Sequence, residues 1–99
     1  MSEPTIQLRR YTVQPGRMDD FISWWHSIVG PREKYGFRVV FAYADDENNQ
    51  FVWAVAHDGD FDAAEAEYMA SPERAEAFAT NPNVLTDSLV SKVRALDLS

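Results

Sequence analysis

Residues 37–61, FRVVFAYADDENNQFVWAVAHDGDF, hold two apolar runs separated by a polar turn, and the second run ends where a helix can begin. Phe37 to Ala44 and Phe51 to His57 are rich in β-branched and aromatic residues. Asp45 to Gln50 between them carries the short polar side chains that bond a turn's own backbone. The stretch therefore reads as a β-hairpin feeding a helix. In the second strand Phe51, Trp53, Val55 and His57 alternate with Val52, Ala54 and Ala56, so both faces are apolar, one large and one small. Close helix packing is expected on the small face, which leaves the large face in need of another covering.

Toward the N-terminus, Thr5 to Val13 reads as a strand with Ile6 and Leu8 on one face and Thr5, Gln7, Arg9, Tyr11 and Val13 on the other. Pro15 suits a first helical position, and Asp19 and Asp20 then meet the positive end of the helix dipole. Met18, Phe21, Ile22, Trp25, Ile28 and Val29 fall within one apolar arc of a helix over residues 16–29, with Trp24 and His26 on its flanks. Gly30-Pro31 is expected to break or kink that helix, and a last turn from Arg32 to Tyr35 ends at Gly36 as a C-terminal cap.

Toward the C-terminus, Asp60 is a suitable N-cap for a helix through Phe61, Ala64, Tyr68 and Met69. Ser71-Pro72 restarts the helix with a second cap and a proline at the first helical position. The apolar residues from Asp87 to Leu98 fit strand or helix, and strand completes the order βαββαβ. That α+β, ferredoxin-like order folds into a four-stranded antiparallel sheet with two helices on one face. The opposite face, expected to carry Phe51, Trp53, Val55 and Tyr11, is too apolar to lie open. A second copy of the chain should cover it, making a homodimeric α/β barrel that Trp53→Asp would dissociate.

Ninety-nine residues set one domain, 1–99, with a core small enough to gain from further burial. The net charge of −7, with nine scattered Lys and Arg, argues against a nucleic-acid partner. No apolar leader precedes the basic residues and no run approaches the length of a membrane span, so no membrane partner and a cytoplasmic location are expected. Without cysteine there is no disulfide, thiolate nucleophile or Cys-ligated metal.

The runs RRYTVQPGRMDDFISWW, REKYGFRVV and DENNQFVWAVAHDGDFDAAEAEYMASPE, in that order and spacing, resemble the NIPSNAP family of the dimeric α/β-barrel superfamily. The resemblance extends from about Ile6 to Phe78. It implies the ferredoxin-like fold and homodimerisation. Wider relatives of that fold include cofactor-independent monooxygenases of the antibiotic-biosynthesis type, isomerases, and haem-binding or haem-degrading proteins. A shared fold does not carry their activities to this chain.

No phosphate loop, nucleophile elbow, HExxH helix or EF-hand loop is present, so no cofactor and no metal are expected. A constellation remains. His57 and His26 are suited to act as general base or hydrogen-bond donor, and Tyr11, Tyr43 or Arg9 to hold an oxyanion. Trp53, Arg9, Tyr68 and Trp24 are candidates to bind an apolar or aromatic small molecule. The competing interpretation is structural: His57 caps the turn at Asp58, and the indoles are core. A haem would need His57 or His26 as axial ligand in an apolar pocket. The function expected is a small cofactor-independent enzyme, monooxygenase- or isomerase-like, or else a non-catalytic ligand-binding or assembly module.

Overall fold

Antiparallel pairing spreads outward from the hairpin. The computed structural model describes residues 3–98. Its elements are β1 (Thr5–Val13), α1 (Met18–Lys34), β2 (Arg38–Asp45), β3 (Gln50–His57), α2 (Phe61–Met69), α3 (Pro72–Phe78) and β4 (Leu85–Val93). The four strands form one sheet in the order β2-β3-β1-β4, every neighbouring pair antiparallel, which is the expected α+β ferredoxin-like architecture. The last strand begins two residues earlier than expected and stops at Val93.

Helix ends follow their local chemistry. The Asp60 carboxylate accepts from the Ala63 N–H at 3.1 Å, and the Ser71 hydroxyl accepts from the Arg74 N–H at 3.1 Å with Pro72 behind it. Helix α1 starts later than expected, at Met18, and Pro15 lies in the preceding turn. It also runs on through Pro31, where the sequence suggested a break. The buried stripe Met18, Phe21, Trp25 and Ile28 therefore continues to Arg32. Gly36, at a φ of +91°, ends the helix. A Cβ there would sit 2.8 Å from Nε2 of His57, so both conformation and space require glycine.

The faces of the sheet are reversed from expectation. Tyr11, Phe51, Trp53 and Val55 are buried beneath the helices, where their rings and branches meet Phe21, Trp25 and Ile28. Trp25 meets Trp53 edge-on at 5.3 Å between ring centres. The physical reason is the gap between the layers, which these large side chains fill. The small side chains Ala54 and Ala56 lie on the other face, each flanked across the strands by larger residues, Leu8 and Phe41 for one, Ile6 and Arg38 for the other.

A β-bulge in β2 completes the reversal. Val39 pairs with Val55 and Phe41 with Ala54, so Val40 is the extra residue. One inserted residue inverts the side-chain parity of the rest of the strand. Phe41 and Tyr43 thus leave the helix side and stack on each other at 5.3 Å on the open face. That face carries Ile6, Leu8, Phe41, Tyr43, Val52, Leu89 and Val93. The molecule is only 18 Å thick along its shortest axis, one sheet and one helical layer.

Candidate functional site

Between the helical layer and the β1/β4 half of the sheet lies a cavity of about 220 Å³. Its apolar wall comes from α1 and α3, with Phe21, Trp24 and Ile28 facing Phe78. Trp24 is locked in place because its indole N–H donates to the Ala77 carbonyl at 2.8 Å and its ring meets Phe78 edge-on. Trp53 and Tyr11 rise from the sheet, and Met69, Asn81, Leu85 and Ser88 also line the cavity.

The polar end is built from three elements. Arg32 of α1, 4% exposed, donates to Glu65 of α2 through both terminal nitrogens, at 2.6 and 3.3 Å. Arg9 of β1 reaches the same carboxylate at 3.3 Å and donates to the Tyr11 hydroxyl at 3.0 Å and to the Gln7 side chain at 2.8 Å. The Arg32 guanidinium also lies over the Tyr68 ring at 4.3 Å and the Phe37 ring at 5.0 Å. Burial is thereby compensated on the faces of the guanidinium as well as at its edges. Arg74 of α3 lies over Phe78 at 3.9 Å.

Four lining residues carry buried donors that have no partner among the described residues: Nε1 of Trp53, the hydroxyl of Tyr68, and Nε of Arg32 and Arg74. Such groups are uncommon in interiors because each forfeits its hydration without replacement. Burial pushes the Tyr68 phenol above its ordinary pKa, opposed by the charges of Arg32 and Arg74. Tyr68 therefore stands at neutral pH as a donor, not a base.

Of the residues expected at a site, the structure brings Arg9, Tyr11, Trp24, Trp53 and Tyr68 to this cavity. His57, His26 and Tyr43 are elsewhere. His57 sits between Gly36 and Gly59, packs on Phe37, and accepts the Gly59 N–H on Nδ1 at 2.9 Å, so it fills the strand end as a cap. His26 is exposed on α1 beside Trp25. Tyr43, 67% exposed, is turned to the opposite face by the bulge at Val40. The sequence reading missed Arg32, Glu65 and Arg74. Arg32 extends the apolar stripe of α1, and Glu65 shares a helical face with Phe61 and Tyr68, spacings that mark both as inward-facing. Among the described residues no group of histidine and carboxylate side chains is placed to hold a metal, and no helix is long and apolar enough to cross a membrane.

Solved structures reproduce this fold closely at low sequence identity. A NIPSNAP family protein of unknown function from Agrobacterium tumefaciens superposes with a TM-score of 0.84 at 13% identity, covering 98% of this chain and 92% of its own. A NIPSNAP domain protein from Burkholderia xenovorans gives 0.80 at 17%, covering 96% and 97%. A protein from Bacteroides thetaiotaomicron named for antibiotic biosynthesis monooxygenases gives 0.69 at 16%, covering 98% and 91%. No curated protein matches the chain in sequence. The NIPSNAP family model matches residues 6–96, which is nearly all of the sheet and helices that enclose the cavity, and the chain belongs to the NIPSNAP family.

Proposed function

We propose that this NIPSNAP protein holds an apolar or aromatic small molecule in the cavity beneath α1 and α3, and acts on it without a cofactor as a cytoplasmic homodimer. One observation carries the reading. An aromatic wall and a cluster of hydrogen-bond donors meet in one cavity of about 220 Å³, the combination that small-molecule sites use for burial and orientation. The paired donors Arg9 and Tyr11 suit a developing oxyanion, as in enolisation or oxygenation of an activated ring. The chemistry available is stronger in charge stabilisation than in proton abstraction, since neither imidazole lines the cavity and both Glu65 oxygens are engaged by arginine. That balance favours the non-catalytic binding module as the second reading.

Dimerisation is supported by the open sheet face. Leu89 is 62% exposed and Tyr43 67%, with the partly exposed Leu8, Phe41 and Val52 on the same face, an apolar surface interrupted by Arg10 between Val52 and Leu89 and of the kind a partner covers. Both parts are testable. A neutral probe, benzyl alcohol, followed by ligand-observed NMR should bind the wild type. Ser88→Phe, which fills the rim of the cavity from the exposed strand β4, should weaken it at least ~10-fold, as expected for a blocked apolar site. Absence of binding, or binding that Ser88→Phe leaves unchanged, contradicts the reading.

A further inference from the structure

We propose that the ligand of this cavity is a small carboxylate built on a single apolar ring, with its carboxylate received by Arg74 and Tyr68. The inference rests on the pocket reading above and adds the charge and size of what enters.

Charge is the first ground. The chain as a whole carries −7, yet the cavity is lined by three arginines, Arg9, Arg32 and Arg74, against one carboxylate, Glu65. Glu65 is already engaged by Arg9 and Arg32. Arg74 has no carboxylate partner among the described residues, and its guanidinium rests on Phe78 with Nε buried and unpaired. A guanidinium stacked on a ring keeps its in-plane donors available, and a carboxylate matches their fork two oxygens to two nitrogens.

Convergence is the second. Tyr68, 1% exposed and with no hydrogen-bond partner for its hydroxyl among the described residues, feels the charges of Arg32, Arg74 and Arg9, opposed by the single charge of Glu65. An anionic oxygen entering beside it would satisfy an orphaned donor and meet a net positive field at once. A neutral ligand would do only the first. Size is the third ground. A dry apolar cavity of about 150 Å³ takes up benzene, so about 220 Å³ suits one ring with a short acidic substituent and not a fused pair.

The test is titration of the full chain with benzoate and with benzamide, its neutral isostere, by protein-observed NMR. Benzoate should bind at least tenfold tighter than benzamide. Arg74→Gln should weaken benzoate about tenfold or more, as loss of a charge-assisted hydrogen bond does, and leave benzamide within twofold. Arg74→Lys, which keeps the charge without the fork, should fall between them. Tyr68→Phe, of nearly the same shape, should reduce the preference for benzoate as well. Equal binding of the two ligands, or a preference that survives both Arg74→Gln and Tyr68→Phe, overturns the carboxylate assignment while leaving the pocket. Failure of both ligands to bind overturns the pocket reading together with it.

Discussion

Glu65→Ala removes the one carboxylate that neutralises Arg32 and Arg9, and its effect follows from the burial of Arg32. That side chain is 4% exposed and Glu65 is 20% exposed, so water cannot readily replace the lost partner. Stripping one member from a buried pair typically costs about 3–5 kcal/mol, because the other charge stays desolvated. The lower end applies here. Arg32 keeps its contacts over Tyr68 and Phe37, each able to return of order 1 kcal/mol, and Glu65 is partly hydrated to begin with. A loss of about 3 kcal/mol is a large part of the 5–15 kcal/mol that holds a domain folded. With a urea m-value of about 1.5 kcal/mol/M, the midpoint should fall by about 2 M at unchanged slope and fixed protein concentration. Arg32→Met combined with Glu65→Leu should recover most of the loss, since a buried pair replaced by apolar side chains is often neutral. A Glu65→Ala loss below about 1 kcal/mol would refute the reasoning and mark the pair as one screened by solvent.

Tyr68→Phe should raise stability by about 1 kcal/mol, because it deletes a buried hydroxyl that has no partner among the described residues. Burial holds the folded phenol above its unfolded pKa of about 10, so its contribution is complete below about pH 10 and lost as pH rises through the folded value. Wild type should accordingly weaken relative to Tyr68→Phe only above about pH 10, in paired urea titrations. Phe41→Asp should give a folded monomer by sedimentation and circular dichroism, since a charge on a covered sheet face is buried unpaired, whereas Trp53→Asp should unfold the protomer, because Trp53 is 0% exposed within it. His26→Gln and His57→Gln should each leave benzyl alcohol affinity within about twofold, as neither side chain lines the cavity and general acid–base loss would instead show as 10² or more in turnover.

The elements of the fold were legible because local signals agreed with one another. Alternation in Phe51 to His57, the arc from Met18 to Ile28, and caps at Asp60 and Ser71 each point to the element observed. Which sheet face the helices cover was not legible. In β3 both faces are apolar, so the pattern that normally orients a strand carries no sign, and the interlayer gap that selects the large side chains is a property of the assembled layers. The bulge at Val40 left no mark in a run of valines, and it alone decides that Tyr43 faces away from the cavity. Arg32 was hidden by Pro31, which ordinarily ends a helix; with the helix continuous, the same stripe that buries Ile28 buries Arg32. The aromatic half of the site and Arg9 were accessible to reasoning from residue type, and Arg32, Glu65 and Arg74 required knowing which helices face each other.

The central claim, that the cavity under α1 and α3 receives a ligand, is tested most directly by the three indole N–H signals of a ¹⁵N-labelled sample. Trp24 and Trp53 line the cavity and Trp25 does not. On saturation with benzyl alcohol, the Trp53 and Trp24 signals should shift and the Trp25 signal should move least, with assignments fixed by Trp24→Phe and Trp25→Phe. Three signals unmoved at saturating probe, or a shift confined to Trp25, would contradict it.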